Sequence, residues 1–332
     1  MNKSTFAYSC KRPRCPLGKD SISLKGCEQL RKAFVVLFFL LFACSIYAQD
    51  KQSRNWLLYE RGNAASSSKE FGKALQYYKE AVSAAGIFPE AEMAIGDIYF
   101  EEGEFSLATS QYQKAYNQRK GFYISDSQYD VLYRLARLHE SQELFKLMED
   151  DLSAIVADDK HFVETATSHL QTQIEKNYLD KGLDHVLLLY RFEPSFAERA
   201  HSKLGWFYYR TGRFSQSMSQ LLYSVIYGVS EINASLRESD INYEFTSLRD
   251  VLAAVEKSAD LQSFVRDIEL YKDLYYLAGS TFAAGYPQHA VDLWRLISSF
   301  QGSGIYQDLS RRQVKSPSIE PLLGVAGKPL GQ

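Results

Sequence analysis

Residues 70–81 read Glu-Phe-Gly-Lys-Ala-Leu-Gln-Tyr-Tyr-Lys-Glu-Ala, and residues 104–115 read Glu-Phe-Ser-Leu-Ala-Thr-Ser-Gln-Tyr-Gln-Lys-Ala. The two runs lie 34 residues apart, and four matches hold that register: Gly62 with Gly96, Ala74 with Ala108, Tyr78 with Tyr112 and Ala81 with Ala115. A fixed period of this length marks a stacked array of like units. Ala74, Tyr78 and Ala81 fall at i, i+4 and i+7, on one helical face, so the small residues admit a neighbouring helix while the ring fills the gap between units. A turn precedes each run, Ser66-Ser67-Ser68-Lys69-Glu70-Phe71 in the first copy and Glu102-Gly103-Glu104-Phe105 in the second. Gly103 there supplies the left-handed residue that ends a helix. Upstream, Gly62 and Gly96 are expected to let two backbones cross closely. One such unit cannot bury its own apolar face, so further copies are expected.

The matched residues resemble the tetratricopeptide repeat, a helix–turn–helix unit with a small residue near the end of its first helix and Ala-x3-aromatic-x2-Ala along its second. Tyr99 also stands at an expected aromatic position. The resemblance implies an all-α fold, a right-handed superhelical solenoid of helix-turn-helix repeats. Clear units are placed at about 55–88, 89–122, 197–230 and 271–304. In the third of these, Leu204-Gly205 and Tyr208 precede the turn Thr211-Gly212-Arg213-Phe214, and Ser217, Leu221 and Ser224 take the second-helix slots. In the last, Leu277-Ala278 and Gly285-Tyr286-Pro287 lead to Ala290, Trp294 and Ile297. Degenerate helical pairs are expected at 129–159, where the turn Glu140-Ser141-Gln142 lacks glycine, and at 161–195, with helices over 162–177 and 182–190. Residues 231–270 read as an insertion, with a polar stretch over 231–243. The Gly, Ser and Pro content of 305–332 reads as a flexible tail.

In proteins of that family, partners lie in the groove lined by first helices. Carried over, the resemblance assigns to a partner-binding groove Trp56, Tyr59 and Asn63, then Met93, Asp97 and Phe100, then Trp206, Tyr209 and Arg210, and finally Tyr275 and Phe282. Such a groove is aromatic, and Tyr and Trp supply large contact area at little entropic cost. The family's clamp for a chaperone's C-terminal carboxylate is not expected: Asn63 fits one of its positions, but Tyr59 stands where a lysine belongs and Asp97 brings a negative charge.

The 332 residues carry a formal charge of −2, unevenly spread. Residues 1–48 hold 8 Lys and Arg against 2 Asp and Glu, leaving 30 against 38, or −8, for the remainder. An acidic body lacks the basic surface that nucleic-acid binding needs. Cys10, Cys15, Cys27 and Cys44 are the whole cysteine complement, so nothing after residue 44 can form a disulfide. Cys10, Cys15 and Cys27 have no fourth ligand nearby, since the first histidine is His139, and no metal site is expected of them.

Arg31-Lys32 followed by the apolar run 33–46 and then Tyr47-Ala48-Gln49-Asp50 has the plan of a secretory signal peptide. Fourteen residues fall short of the roughly twenty that span a bilayer. Two processing sites compete, cleavage after Ala48 and a lipobox-like Leu41-Phe42-Ala43-Cys44 in which Cys44 would be lipidated. Residues 1–48 are therefore read as a signal peptide with a long basic leader, and 49–304 as an exported repeat domain of the periplasm or outer membrane. Membrane association is expected only through a lipid on Cys44 or an uncleaved signal segment.

Catalytic patterns are absent from the sequence. The six histidines are dispersed, and His139-Glu140-Ser141-Gln142-Glu143 lacks the second histidine of a zinc-protease motif. Neither a phosphate loop nor a dinucleotide fingerprint occurs, and no cofactor is implied. The acidic groups Glu101-Glu102-Gly103-Glu104 and Glu149-Asp150-Asp151 read as solvated helix ends rather than a glycosidase pair. The expected role is a scaffold or adaptor for a protein or peptide partner in the cell envelope. The alternative is an envelope enzyme, such as a glycan hydrolase, with helical repeats around its site.

Overall fold

A computed structural model describes residues 54–162 and 169–320. The signal segment, both processing sites and Cys44 lie outside the described residues. The residues from Leu58 onward belong to one unit, and of the unit before it, Met1–Leu57, only residues 54–57 are described. In chain order the helices are residues 54–67 (α1), Phe71–Ala85 (α2), Pro89–Glu101 (α3), Phe105–Asn117 (α4), Ser127–Ser141 (α5), Phe145–Ala157 (α6), Leu170–Lys181 (α7), Leu183–Leu189 (α8), Glu198–Arg210 (α9), Phe214–Ser239 (α10), Leu248–Val255 (α11), Ala259–Asp267 (α12), Leu270–Ala283 (α13), Pro287–Ile297 (α14) and Ile305–Lys315 (α15). No strand occurs among the described residues. The fold is an all-α, helical-repeat solenoid.

Five helical hairpins share one internal plan: α1/α2, α3/α4, α5/α6, α9/α10 and α13/α14. Each first helix carries a small residue, Gly62, Gly96, Ala136, Gly205 or Ala278. Seven residues later comes the turn residue with positive φ: Lys69, Gly103, Glu143, Gly212 or Gly285. The following N–H closes the helix on a carbonyl five residues back in every case, from Glu70 to Ala65, Glu104 to Tyr99, Leu144 to His139, Arg213 to Tyr208 and Tyr286 to Thr281, at 2.8–3.0 Å. That bond, with the left-handed residue before it, satisfies carbonyls that a helix end leaves orphaned.

The small residue serves the second helix directly. A Cβ on Gly96 would stand 2.6 Å from Cε1 of Tyr112, and one on Gly205 2.5 Å from Cγ of Leu221. Each glycine is thus a seat for the large side chain sixteen residues on, and the contact is ring against backbone rather than the backbone crossing expected from the sequence. Ala74, Ala81, Ala108 and Ala115 are fully buried around these rings.

Although α7/α8 intervene in sequence, α9 packs on α6, and although α11/α12 intervene, α13 packs on α9 and α10. α7, α8 and α11 lie against α10 and α12 against α13, joining the core through Ile174, Tyr178, Val186, Leu187, Leu248, Val251 and Leu252. Tyr178 reaches Thr281 of α13 at 2.7 Å, and Asp184 accepts the N–H of Leu248 at 2.7 Å.

Three sequence expectations are corrected. The fourth hairpin does not end near residue 230, because α10 runs on through the expected polar stretch to Ser239. Val225, Ile226, Tyr227, Val229 and Ile232 are buried around its circumference, and a helix apolar on all sides persists where neighbours cover all sides. The pair at 161–195 is shifted, with α7 beginning at Leu170 rather than 162 and Phe162 in a turn. Of the tail expected to be flexible over 305–332, residues 305–315 instead fold into α15, while 321–332 lie outside the described residues. Tyr306, Leu309 and Val314 pack on the apolar core there, so the helix covers the face that α14 would otherwise expose.

Candidate partner-binding face

The first helices α3, α5, α9 and α13 present one face on which three positions recur, lying three residues before, one after and four after the small residue. Met93, Asp97 and Phe100 hold them in α3. In α5 they are Tyr133, Arg137 and Glu140, which the sequence reading did not include because its third pair lacked a turn glycine. The signal was present in Ala136 and Glu143, whose seven-residue spacing repeats that of Gly96 and Gly103.

Asp97 is an internal hub of this face. Its Oδ1 accepts the Tyr112 hydroxyl at 2.7 Å and Arg134 Nε at 2.7 Å, tying α3 to α4 and α5. Burial, with the Asp97 carboxylate beside it, pushes the Tyr112 phenol far above its ordinary range. Asn63 takes the equivalent bond from Tyr78 at 2.8 Å, and burial raises that phenol to about 12. Tyr59 stacks obliquely on Tyr78 and Phe88 at 5.6 and 5.5 Å, so its ring packs between hairpins. Trp56 is half-buried and belongs to the N-terminal part of the chain.

Beyond Asp97 the face alternates rings and cations. Arg137 lies 4.2 Å over the Phe100 ring, Arg199 4.1 Å over Tyr133, and Lys272 5.4 Å over Trp206. These contacts bridge α3 to α5, α5 to α9 and α9 to α13 in turn. Neither Arg137 nor Arg199 forms an ion pair with a described residue. Met93 is half-buried against the core, and Phe282 packs at 5.9 Å on Trp294.

Two cavities open between α5 and α9. The larger, about 560 Å³, is walled by Tyr129, Tyr133, Phe196, Glu198, Arg199 and Ser202. Its neighbour, about 170 Å³, shares Tyr133 and Lys203 and adds Arg137, Trp206 and Lys272. In the larger, Glu198 Oε1 is buried without a hydrogen-bond partner. Burial first, and the nearby Glu231 and Asp273 carboxylates next, raise Glu198 to about 7. Glu198 is therefore poised to give or take a proton near neutrality.

At the C-terminal end, Tyr209 and Tyr275 are not open groove surface as the sequence reading had them. Their rings are buried, because Tyr209 fills the space left by Gly279 of α13 and Tyr275 is wedged among Tyr276, Trp294 and Tyr306. Their hydroxyls reach the segment that follows α15. There they meet residue 320: Tyr275 donates to Glu320 Oε1 at 2.7 Å, Tyr276 to Oε2 at 3.4 Å, and the Glu320 N–H donates to Tyr209 at 3.1 Å. Arg210 Nη1 lies 3.7 Å from Oε2. Three residues that the sequence assigned to the groove thus converge on one residue of the chain itself, Tyr275 and Arg210 at the Glu320 carboxylate and Tyr209 at its main-chain N–H.

No family model matches the chain. A Treponema pallidum protein described as uncharacterized is 22% identical over 228 residues, which are 67% of this chain and 59% of that protein, so the chain spans less than two thirds of this relative. A second uncharacterized protein, from Borreliella burgdorferi, is 22% identical over 319 residues, covering 86% of this chain and 98% of its own length. Among solved structures, YrrB, described as a TPR protein with an unusual peptide-binding site, matches with a TM-score of 0.40 and 14% identity over 82% of this chain and 97% of that one.

Other titratable groups are engaged with internal partners, His201 and Asp159 foremost. His201 is fully buried, with Nδ1 2.6 Å from Gln220 Oε1 and Nε2 3.0 Å from Asp159 Oδ2. Asp159 also accepts Tyr227 at 2.8 Å and the His161 N–H at 2.9 Å. This set ties the end of the third hairpin to α9 and α10. Of the acidic groups singled out in the sequence, Glu149 pairs with Arg213, Asp150 with Lys146 and Asp151 with His139. Glu101, Glu102 and Glu104 are exposed at a turn.

Proposed function

We propose that this protein is an exported scaffold that binds a protein or peptide partner in the cell envelope through its first-helix face, between α3 and α13. The observation that carries the reading is the run of rings and cations Phe100–Arg137, Tyr133–Arg199 and Trp206–Lys272 beside two cavities. Aromatic anchors next to arginines are what interface hot spots are made of. Arg137 and Arg199 lie over ring faces and form no ion pair with a described residue, so an acidic segment of a partner can claim their guanidinium groups without breaking one. The activity proposed is binding rather than catalysis. His201 and Asp159 are engaged with each other, Gln220 and Tyr227, and Glu198 Oε1 is hydrogen-bonded to no described nucleophile.

Export rests on the 31–50 segment of the sequence, with Gln49 or a lipidated Cys44 as the mature N-terminus. Mass spectrometry of that terminus tests it, and peptides from residues 5–30 in the exported protein would overturn it. For the binding face, the full chain carrying both Arg137→Glu and Arg199→Glu is compared with wild type in capturing partners from envelope extract. The expected result is loss of capture with unchanged thermal unfolding. Retention of the same partners by the folded double variant rejects the face.

A further inference from the structure

We propose that Tyr209, Arg210, Tyr275 and Tyr276 form a receptor for the carboxylate of an acidic residue in an extended peptide, and that Glu320 is its resident, displaceable occupant. The inference rests on the peptide-binding reading above and names both a ligand chemistry and a regulation for the same face.

Helix α15 ends at Lys315, and Pro317 prevents its continuation. The chain then runs without helix from Ser316 to Glu320, returning across α13 to the end of α9. Its backbone is held as a guest would be: Gln313 Oε1 accepts the Ser318 N–H at 2.8 Å, and Tyr209 accepts the Glu320 N–H at 3.1 Å. Its side chain is read by two donors, Tyr275 and Tyr276, with Arg210 beside them. Covering α14 does not require any of this, because Tyr306 and Leu309 of α15 already do so.

The receptor is built before the guest arrives. Gly279 opens the seat for Tyr209, since a Cβ there would stand 2.7 Å from Cε2 of that ring. Burial raises the Tyr209 phenol to about 12 and drives Tyr275 higher still, so both hydroxyls stay protonated across the physiological range.

The resident fits imperfectly, and that makes it displaceable. Arg210 approaches the carboxylate with one nitrogen at 3.7 Å, and its Nε is buried with no hydrogen-bond partner. A guanidinium fork matches a carboxylate with two parallel bonds, and a bidentate pair is the stronger arrangement. An incoming acidic peptide that seats its carboxylate on Nε and a terminal nitrogen together gains what Glu320 leaves unmade. Against it stands the tether. Four residues separate α15 from Glu320, and a segment so tied has an effective concentration in the millimolar range. The segment therefore acts as a threshold, lowering apparent affinity by the fraction of time the site is closed.

The test uses the full chain and, as probe, a fluorescent synthetic peptide with the sequence of residues 315–324, Lys-Ser-Pro-Ser-Ile-Glu-Pro-Leu-Leu-Gly. Glu320→Lys places a cation beside Arg210 and should open the site. That variant is expected to bind the probe at least about tenfold more tightly than wild type. A probe with glutamine in place of its glutamate should bind at least about tenfold more weakly, and adding Tyr275→Phe to Glu320→Lys should remove the gain. Equal binding of the probe by wild type and Glu320→Lys overturns the resident occupant. Equal binding of acidic and glutamine probes, or no binding by any folded variant, overturns the receptor. Either failure leaves the Arg137 and Arg199 capture experiment to decide the wider reading separately, since those residues bridge α3, α5 and α9 and do not touch residue 320.

Discussion

Gly96 and Tyr112 are complementary shapes: the missing Cβ of one, 2.6 Å from where the Cε1 of the other lies, is the space in which the second helix of the hairpin docks. Tyr112 is fully buried there, with its hydroxyl on Asp97. Gly96→Ala should therefore force the ring out of its seat and cost roughly 1–3 kcal/mol, the usual range for overpacking a tight core. Gly72 is the control, because a Cβ there meets nothing within 4 Å on an exposed turn of α2. Gly72→Ala should stabilise by about 0.5–1 kcal/mol through helix propensity. Urea unfolding of the two variants should move the midpoint in opposite directions, and a shared direction would refute the seat.

Glu143 has φ +58°, and Lys69 +59°, at the turn position that Gly103, Gly212 and Gly285 hold in the other hairpins. A left-handed residue with a side chain costs on the order of 1 kcal/mol relative to glycine in the folded state, partly offset because glycine is freer when unfolded. Glu143→Gly is thus expected to raise stability by several tenths of a kcal/mol, while Gly103→Glu lowers it by about 1 kcal/mol. Thermal unfolding of both variants checks the pair. A destabilised Glu143→Gly would mean that the side chain itself holds the turn.

Ending the chain at Gly304 removes α15 and bares the apolar edge against which Tyr306, Leu309 and Val314 pack. If residues after 304 were a passive tail, such a truncation would leave unfolding unchanged. The expected outcome is a lower midpoint and new binding of a hydrophobic dye, and the point variant Leu309→Ala should reproduce part of the loss, about 1–3 kcal/mol for a half-buried leucine.

The hairpins were legible where each position carries a signal that physics makes narrow. A small residue seven positions before a left-handed turn, followed on the second helix by a small residue and then a large one four positions on, has few other uses, so α1 to α4, α9 and α13/α14 could be read directly. Leu152 and Ile155 do in α6 what Tyr112 and Ala115 do in α4, but bulky aliphatics suit any core, and the third hairpin blurred. The helix α15 was hidden because Gly302, Gly304 and Pro317 dominate the composition around it, while its packing residues are few. Of the assigned binding residues, Asp97, Tyr209 and Tyr275 proved to be held by internal partners. Whether an aromatic side chain on a first helix turns outward depends on the next helix in space, and here α9 follows α6 only because α7 and α8 step aside. Sequence spacing carries no record of that.

Asp273 and Asp159 are buried aspartates with opposite signs of pH dependence, and the difference follows from their partners. Asp273 accepts Ser202 at 2.7 Å and Ser224 at 2.5 Å, but burial outweighs both bonds and raises it from 3.8 to about 7. For Asp159 burial is again the largest influence and also raises, yet the combined bonds from His201, the His161 N–H and Tyr227 prevail and hold it below 3.8. A raised folded value means that the folded state holds a proton the unfolded state has released, so the stabilisation from Asp273 is complete below about pH 4 and is lost as pH rises to about 7. For Asp159 the sense reverses: its contribution is present above about pH 4 and is lost as pH falls through its lower folded value. Asp273→Asn keeps an acceptor for Ser202 and removes the titration. Relative to wild type it should gain stability, by on the order of 2–4 kcal/mol, between pH 4.5 and 7.5. Asp159→Asn should lose stability at pH 7.5, and the loss should shrink as pH falls below about 4 and wild type gives up the same contribution. Urea unfolding of the three proteins at these pH values measures the differences directly, and an Asp273→Asn difference that stays flat with pH would mean that this carboxyl is ionised in the fold after all.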